Sequence, residues 1–104
     1  MMEFIVGTQE YMHLKVVETT RQLQNYIGTV AVYDIYPDGE ALIPQNAVVS
    51  NQPVNELQDN IFKCLVAPDV TWLDGIYSLY LTLVDIPNWL EKPRFGPFRF
   101  GVVT

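Results

Sequence analysis

Side chains able to move protons, bind metals or attack carbonyl carbon are few in this chain, and they do not converge. It holds one histidine, His13, and one cysteine, Cys64. Zinc needs three or four nitrogen, sulfur or oxygen ligands in a tight shell, and one His with one Cys cannot supply the nitrogen and sulfur set within a single chain. Nucleophilic catalysis needs a Ser, Cys or Thr beside a base that a third group orients. His13 lies in Y-M-H-L-K, an alternating stretch that reads as a strand with His13 on its wet side, where it needs no partner. The densest acids are Asp34, Asp38 and Glu40, around P-D-G. Such a set can act as acid and base, or offer oxygens to calcium, but hairpin ends ordinarily carry solvated acids, and the D-x-D-x-D spacing of a calcium loop is missing. No glycine-rich cradle precedes a helix, so nothing indicates a nucleotide site. The expectation is a non-enzymatic protein without metal or cofactor.

The elements around these residues read as strands. Thr71 to Val84 is the organising stretch: from Tyr77 on, the odd positions Tyr77, Leu79, Leu81 and Leu83 are apolar while Ser78 and Thr82 interrupt the even ones, a period of two. Asp74-Gly75 supplies a turn before it. Upstream, Phe4 to Val6 and Tyr11 to Val17 are short strands, the second with Met12, Leu14 and Val16 on its core side. Thr19 to Asn25 reads as a loop. Gly28 to Tyr36 runs into Pro37-Asp38-Gly39, the clearest hairpin signal, so Glu40 to Ile43 is expected to return beside it. Ala47 to Ser50 reads as a further short strand. Asn51 to Asn60, broken by Pro53, reads as a surface loop, and Ile61 to Val66 as a strand. Trp72 is placed as a plug at one end of the core. Asp85 to Pro97, with Pro87, Pro93 and Pro97, reads as an irregular excursion before a last strand, Phe98 to Val103. About seven to eight short strands, no helix and no internal repeat give one all-β domain over residues 1–104, an antiparallel β-sandwich.

Bulk composition bounds the rest. The 104 residues are 49% hydrophobic and 12% aromatic, which excludes a disordered solvating segment. Twelve acids against six bases give a net charge of −6, so no nucleic-acid footprint is expected. Cys64, in F-K-C-L-V, reads as a small buried hydrophobe. The amino end lacks a signal-peptide pattern and no run reaches the ~18 apolar residues of a membrane span, so neither secretion by a cleaved signal nor a membrane partner is expected.

One feature exceeds what a core needs. On the organising strand the outward positions Ile76, Tyr80 and Val84 are large and apolar, so that strand carries bulk on both faces. Either the Asp85–Pro97 segment folds back with Trp89 and Leu90 to cover them, or they meet a partner chain. Trp89, Arg94 and Phe95 of that segment are contact candidates too, because Trp and Arg are enriched at binding hot spots. The expected interface is therefore Ile76, Tyr80, Val84, Trp89, Arg94 and Phe95. A carbohydrate-binding or adhesin-like module, with Trp72, Trp89 and nearby tyrosines stacking on sugar rings and the hairpin acids bonding hydroxyls, is the alternative.

The hairpin V-A-V-Y-D-I-Y-P-D-G-E-A-L-I-P (Val30 to Pro44), followed by W-L-D-G-I-Y-S-L-Y-L (Trp72 to Leu81) and a closing hydrophobic strand, resembles the small immunoglobulin-like domains of tailed-phage virion proteins. The Gly-x-Tyr strand start of that group is matched by Gly75 and Tyr77, and Leu79 stands where antibody domains carry their second cysteine. The resemblance implies an immunoglobulin-like sandwich that packs in many copies against other virion structural proteins of a tail or capsid. It also implies synthesis in a host cytoplasm and final residence in the virion.

Overall fold

The computed structural model describes residues 1–16, 30–58, 61–85 and 92–104. Seven strands run through them: β1 (Glu3–Ile5), β2 (Glu10–Lys15), β3 (Val30–Pro37), β4 (Val49–Gln58), β5 (Ile61–Val66), β6 (Gly75–Asp85) and β7 (Arg94–Val103). Among the described residues the sole helical turn is a 3-10 turn at Pro44–Asn46, so the chain is all-β.

The strands follow the order β1-β7-β6-β3-β4-β5-β2, and every pairing is antiparallel except β1 with β7, which is parallel. Two sheets share this ladder. The larger holds β1, β7, β6, β3 and β4; the smaller holds β4, β5 and β2. Strand β4 belongs to both: Val49–Asn55 pairs with β3, while Glu56 and Gln58 pair with β5. β1 and β2, consecutive in sequence, lie at opposite ends of the order, so the chain crosses between sheets near Gly7, whose amide donates to the Pro68 carbonyl at 2.8 Å.

Alternation decides which side chains turn inward. Met12, Leu14 and Val16 of the β2 segment, Phe62, Cys64 and Val66 of β5, and Tyr77, Leu79, Leu81 and Leu83 of β6 are buried in a single cluster with Phe4, Phe100 and Val102. Burying that much apolar surface is the main stabilising contribution. Tyr33 crosses the core: its hydroxyl donates to the Leu65 carbonyl at 2.9 Å, tying the larger sheet to the smaller. Burial raises its phenol to about 12, with Cys64 nearby adding to the shift. The Cys64 thiol is likewise pushed up to about 12 by desolvation. Trp72 is buried and packs over the Tyr77 ring with centroids 5.2 Å apart, closing one end of the core as its position suggested.

Three expectations are corrected. Glu40–Ile43 does not return as a strand: a turn at Asp38–Gly39 is followed by exposed residues and the 3-10 turn, and the partner of β3 is β4. Asn51–Gln58 is strand, not loop. Pro53 is tolerated because it sits opposite Val32 in the half of β4 that has a ladder on one side alone. Arg94–Pro97 likewise belongs to β7, which accommodates Pro97 through a bulge: Leu79 faces Phe98 and Leu81 faces Phe95, so Gly96 and Pro97 together oppose Tyr80. The expected loop at Thr19–Asn25, and Trp89 with Leu90, lie outside the described residues.

Candidate interaction surface

The outward side of the larger sheet is organised around the pair Asp34 and Tyr80, which are direct partners in β3 and β6. A bulge flanks this pair on each side. In β4, Ser50 and Asn51 together oppose Asp34, since Tyr33 faces Gln52 and Ile35 faces Val49. A bulge leaves its extra residue without a ladder partner. Here the spare donor is used: the Asn51 amide donates to Asp34 Oδ1 at 2.8 Å. Asn51 has φ 48°, a left-handed conformation that Asn tolerates better than most residues. On the other side, a Cβ at Gly96 would stand 2.8 Å from the Leu79 carbonyl oxygen and 2.8 Å from Tyr80 Cδ1, so only glycine lets β7 lie this close to the Tyr80 ring.

Arg94 bridges the pair. Its guanidinium lies 4.6 Å from the Tyr80 ring centroid, and Nη2 is 3.9 Å from Asp34 Oδ2. Tyr36 meets Tyr80 edge-on, with centroids 6.1 Å apart. Nearer the start of β6, the Asp38 carboxylate accepts from Ser78 Oγ at 3.4 Å and lies 3.5 Å from Arg99 Nε. The three acids singled out in the sequence are thus separated: Asp34 is held by Asn51 and Arg94, Asp38 by Ser78 and Arg99, and Glu40 is exposed. Among the described residues no three His, Cys, Asp or Glu side chains stand together in a way that could hold a metal ion. His13 is exposed on β2, opposite Lys63.

The contact candidates therefore fall into different settings. Tyr80 and Val84 are half-buried on the outward side, and Tyr80 is covered in part by this chain's own Arg94. Arg94 is exposed. Phe95, opposite Leu81, points the other way and packs against the core cluster. Trp89 lies outside the described residues. Ile76 is 43% exposed. It stands on a ridge between two concavities: a cleft of about 550 Å³ on the side of Pro37, Val48 and Leu73, and one of about 510 Å³ on the side of Met1, Glu3 and Gly101.

Sequence reasoning missed the residues around the larger cleft. Leu73, just before β6, is 80% exposed, and Val70 in the same loop is 89% exposed. Across the cleft the connection after β3 contributes Glu40 and Val48, and Leu42 and Ile43 in the same connection are exposed. The loop is held in shape by local bonds. The Thr71 amide donates to Asp69 Oδ1 at 2.7 Å and the Thr71 hydroxyl adds a second bond, which together lower the Asp69 carboxyl. The Tyr77 hydroxyl donates back to the Leu73 carbonyl at 2.6 Å, and burial, with Asp74 beside it, raises that phenol. Thr104 Oγ1 donates to Asp74 at 2.9 Å. A loop fixed by so many bonds holds its apolar side chains outward at a defined place. The signal for Leu73 was present as an apolar residue against an Asp-Gly turn. With the geometry in view, comparison with protein-family models, with curated proteins and with solved structures finds no match to this chain.

Proposed function

We propose that the chain is a non-enzymatic, immunoglobulin-like structural module of a phage virion, packing in multiple copies against tail or capsid components. The observation that carries this reading is the apolar surface at the start of β6: Leu73, just before the strand, and Ile76, on it, are both exposed and line the same cleft. Contiguous exposed apolar patches mark interfaces. The strand order supports the immunoglobulin-like part. A first strand parallel to the last, a β7-β6-β3 ladder and a second β4-β5-β2 sheet follow the order of such sandwiches. The bond from Tyr77, near the start of β6, to the backbone four residues upstream has the form of their tyrosine corner. Leu79, buried at the position of the second antibody cysteine, fills by packing what a disulfide would staple. Against the carbohydrate alternative, Trp72, one of the rings it would use, is buried and packed on Tyr77.

The test is direct. Virus particles purified from lysates of the cells that make the chain are expected to contain it in many copies per particle by quantitative mass spectrometry. The double substitution Leu73→Asp and Ile76→Asp is expected to leave the chain folded and to strip it from the particle fraction at least tenfold. A chain found only among free proteins overturns the proposal.

A further inference from the structure

Two surfaces of this chain complement one another, and we propose that they join successive copies head to tail, the Tyr11 face of one copy entering the cleft beside Ile76 of the next. The inference rests on the reading of the chain as a repeated structural module and names what that module meets.

The receiving side is the cleft of about 550 Å³. Pro37, Val48, Ile76 and Tyr77 give it an apolar lining, and Leu73 stands exposed at its edge. Its charged residues are all acids, namely Asp38, Glu40 and Asp74, and no Lys, Arg or His lines it. Asp38 is partly matched by Arg99 and Asp74 by the Thr104 hydroxyl, whereas Glu40 is exposed.

The entering side is the outward face of the smaller sheet. Tyr11 is 52% exposed, and the Lys63 ammonium lies 4.0 Å from its ring centroid. His13 pairs with Lys63 in the β2–β5 register, and Lys15 follows on the same face of β2; all three are exposed. Lys63 thus lies against an exposed aromatic ring and Lys15 follows on the same face, two of the chain's six Lys and Arg residues in a molecule of net charge −6. No acid occupies the outward positions of β2 and β5 between Tyr11 and Lys15 and between Ile61 and Leu65.

Charge then chooses the partner. Two acidic clefts brought together repel, as do two basic faces, while the basic face on the acidic cleft is favourable and places an aromatic anchor against apolar lining. The two surfaces share no residue, so the contact is heterologous. Each copy, once bound through one surface, still offers the other, and the result is a ring or an open row.

Sedimentation velocity on the full chain tests this. The wild type is expected to gain mass with concentration and to lose it as salt is added. Lys63→Glu and Glu40→Lys are each expected to remain monomeric, with circular dichroism unchanged because both sites are exposed. An equimolar mixture of the two is expected to assemble again, since the first retains an intact cleft, the second an intact Tyr11 face, and the two substituted sites set against each other restore the remaining contact with its charges exchanged. Tyr11→Ala, which changes no charge, is expected to weaken assembly at least tenfold. A wild type that stays monomeric overturns the inference, as does a mixture that fails to assemble. If both charge variants assemble as the wild type does, this contact is wrong while the repeated-module reading stands. If the mixture assembles but the chain is missing from particles, the contact stands and the virion reading falls.

Discussion

At position 34 a buried aspartate, 8% exposed, accepts the amide that a bulge in the next strand leaves over. That bond separates two substitutions of similar size. Asp34→Asn keeps an oxygen for the Asn51 amide and loses only the charge facing half-exposed Arg94, so it is expected to cost less than about 1 kcal/mol. Asp34→Ala leaves a part-buried donor without an acceptor and is expected to cost about 2 kcal/mol, read by urea unfolding. Equal losses for the two would show that charge, not the bond to the bulge, holds this row together. In the sequence Asp34 looked like one of three neighbouring acids at a hairpin end. Its role was hidden because the bulge that creates the spare amide lies in β4, around Asn51, where Pro53 argued against any strand.

Strand by strand, alternation was the readable signal and proline the misleading one. The inward sets of β2, β5 and β6 follow directly from period two, because a half-buried strand must put alternate side chains on one face. Glu40–Ile43 failed for another reason: a turn signal fixes a reversal but not what the returning chain pairs with, and here the exposed Leu42 and Ile43 precede a 3-10 turn instead of a strand. Pro97 failed as a breaker because a bulge opposite Tyr80 removes the demand for its amide. The shortest strand offers a clean check. In β1, Phe4 is buried at 1% and meets Phe100 edge-on with centroids 5.1 Å apart, while Ile5 beside it is 54% exposed. Phe4→Ala is expected to cost about 3–5 kcal/mol and Ile5→Ala no more than about 0.5, measured by chemical denaturation. Comparable losses would mean that β1 does not hold its register against β7.

For the molecule as a whole, the buried thiol and phenol set an alkaline limit. Cys64 has an ordinary value of 9.0 and is raised to about 12 by burial; Tyr33 moves from 10.0 to about 12, also chiefly through burial. Both stay neutral in the folded chain while the unfolded chain has already begun to lose those protons. Stability from these groups is therefore complete below pH 9 and is lost as pH rises toward 12, by roughly 1.4 kcal/mol per unit for each group between its two values. Unfolding free energies from urea titrations at pH 8 to 11 should fall with that slope, and Cys64→Ala should flatten it between pH 9 and 10 even though the smaller side chain lowers stability throughout. A thiol reagent should find Cys64 only in the unfolded chain. The proposed interface is the part that the sequence half disclosed: Ile76 is legible from its parity on β6, whereas the cleft beside it needs the connection after β3 brought against the loop before β6, a juxtaposition that no local pattern encodes.

Strand β4 runs without a break from one layer into the other, so neither layer owns a complete set of partners. Peeling one away means tearing a single continuous ribbon of backbone, and the bond from Tyr33 across to Leu65 adds a rivet between them. The two halves are thus expected to melt together, and a load applied to one side is carried through the whole body instead of prying it open.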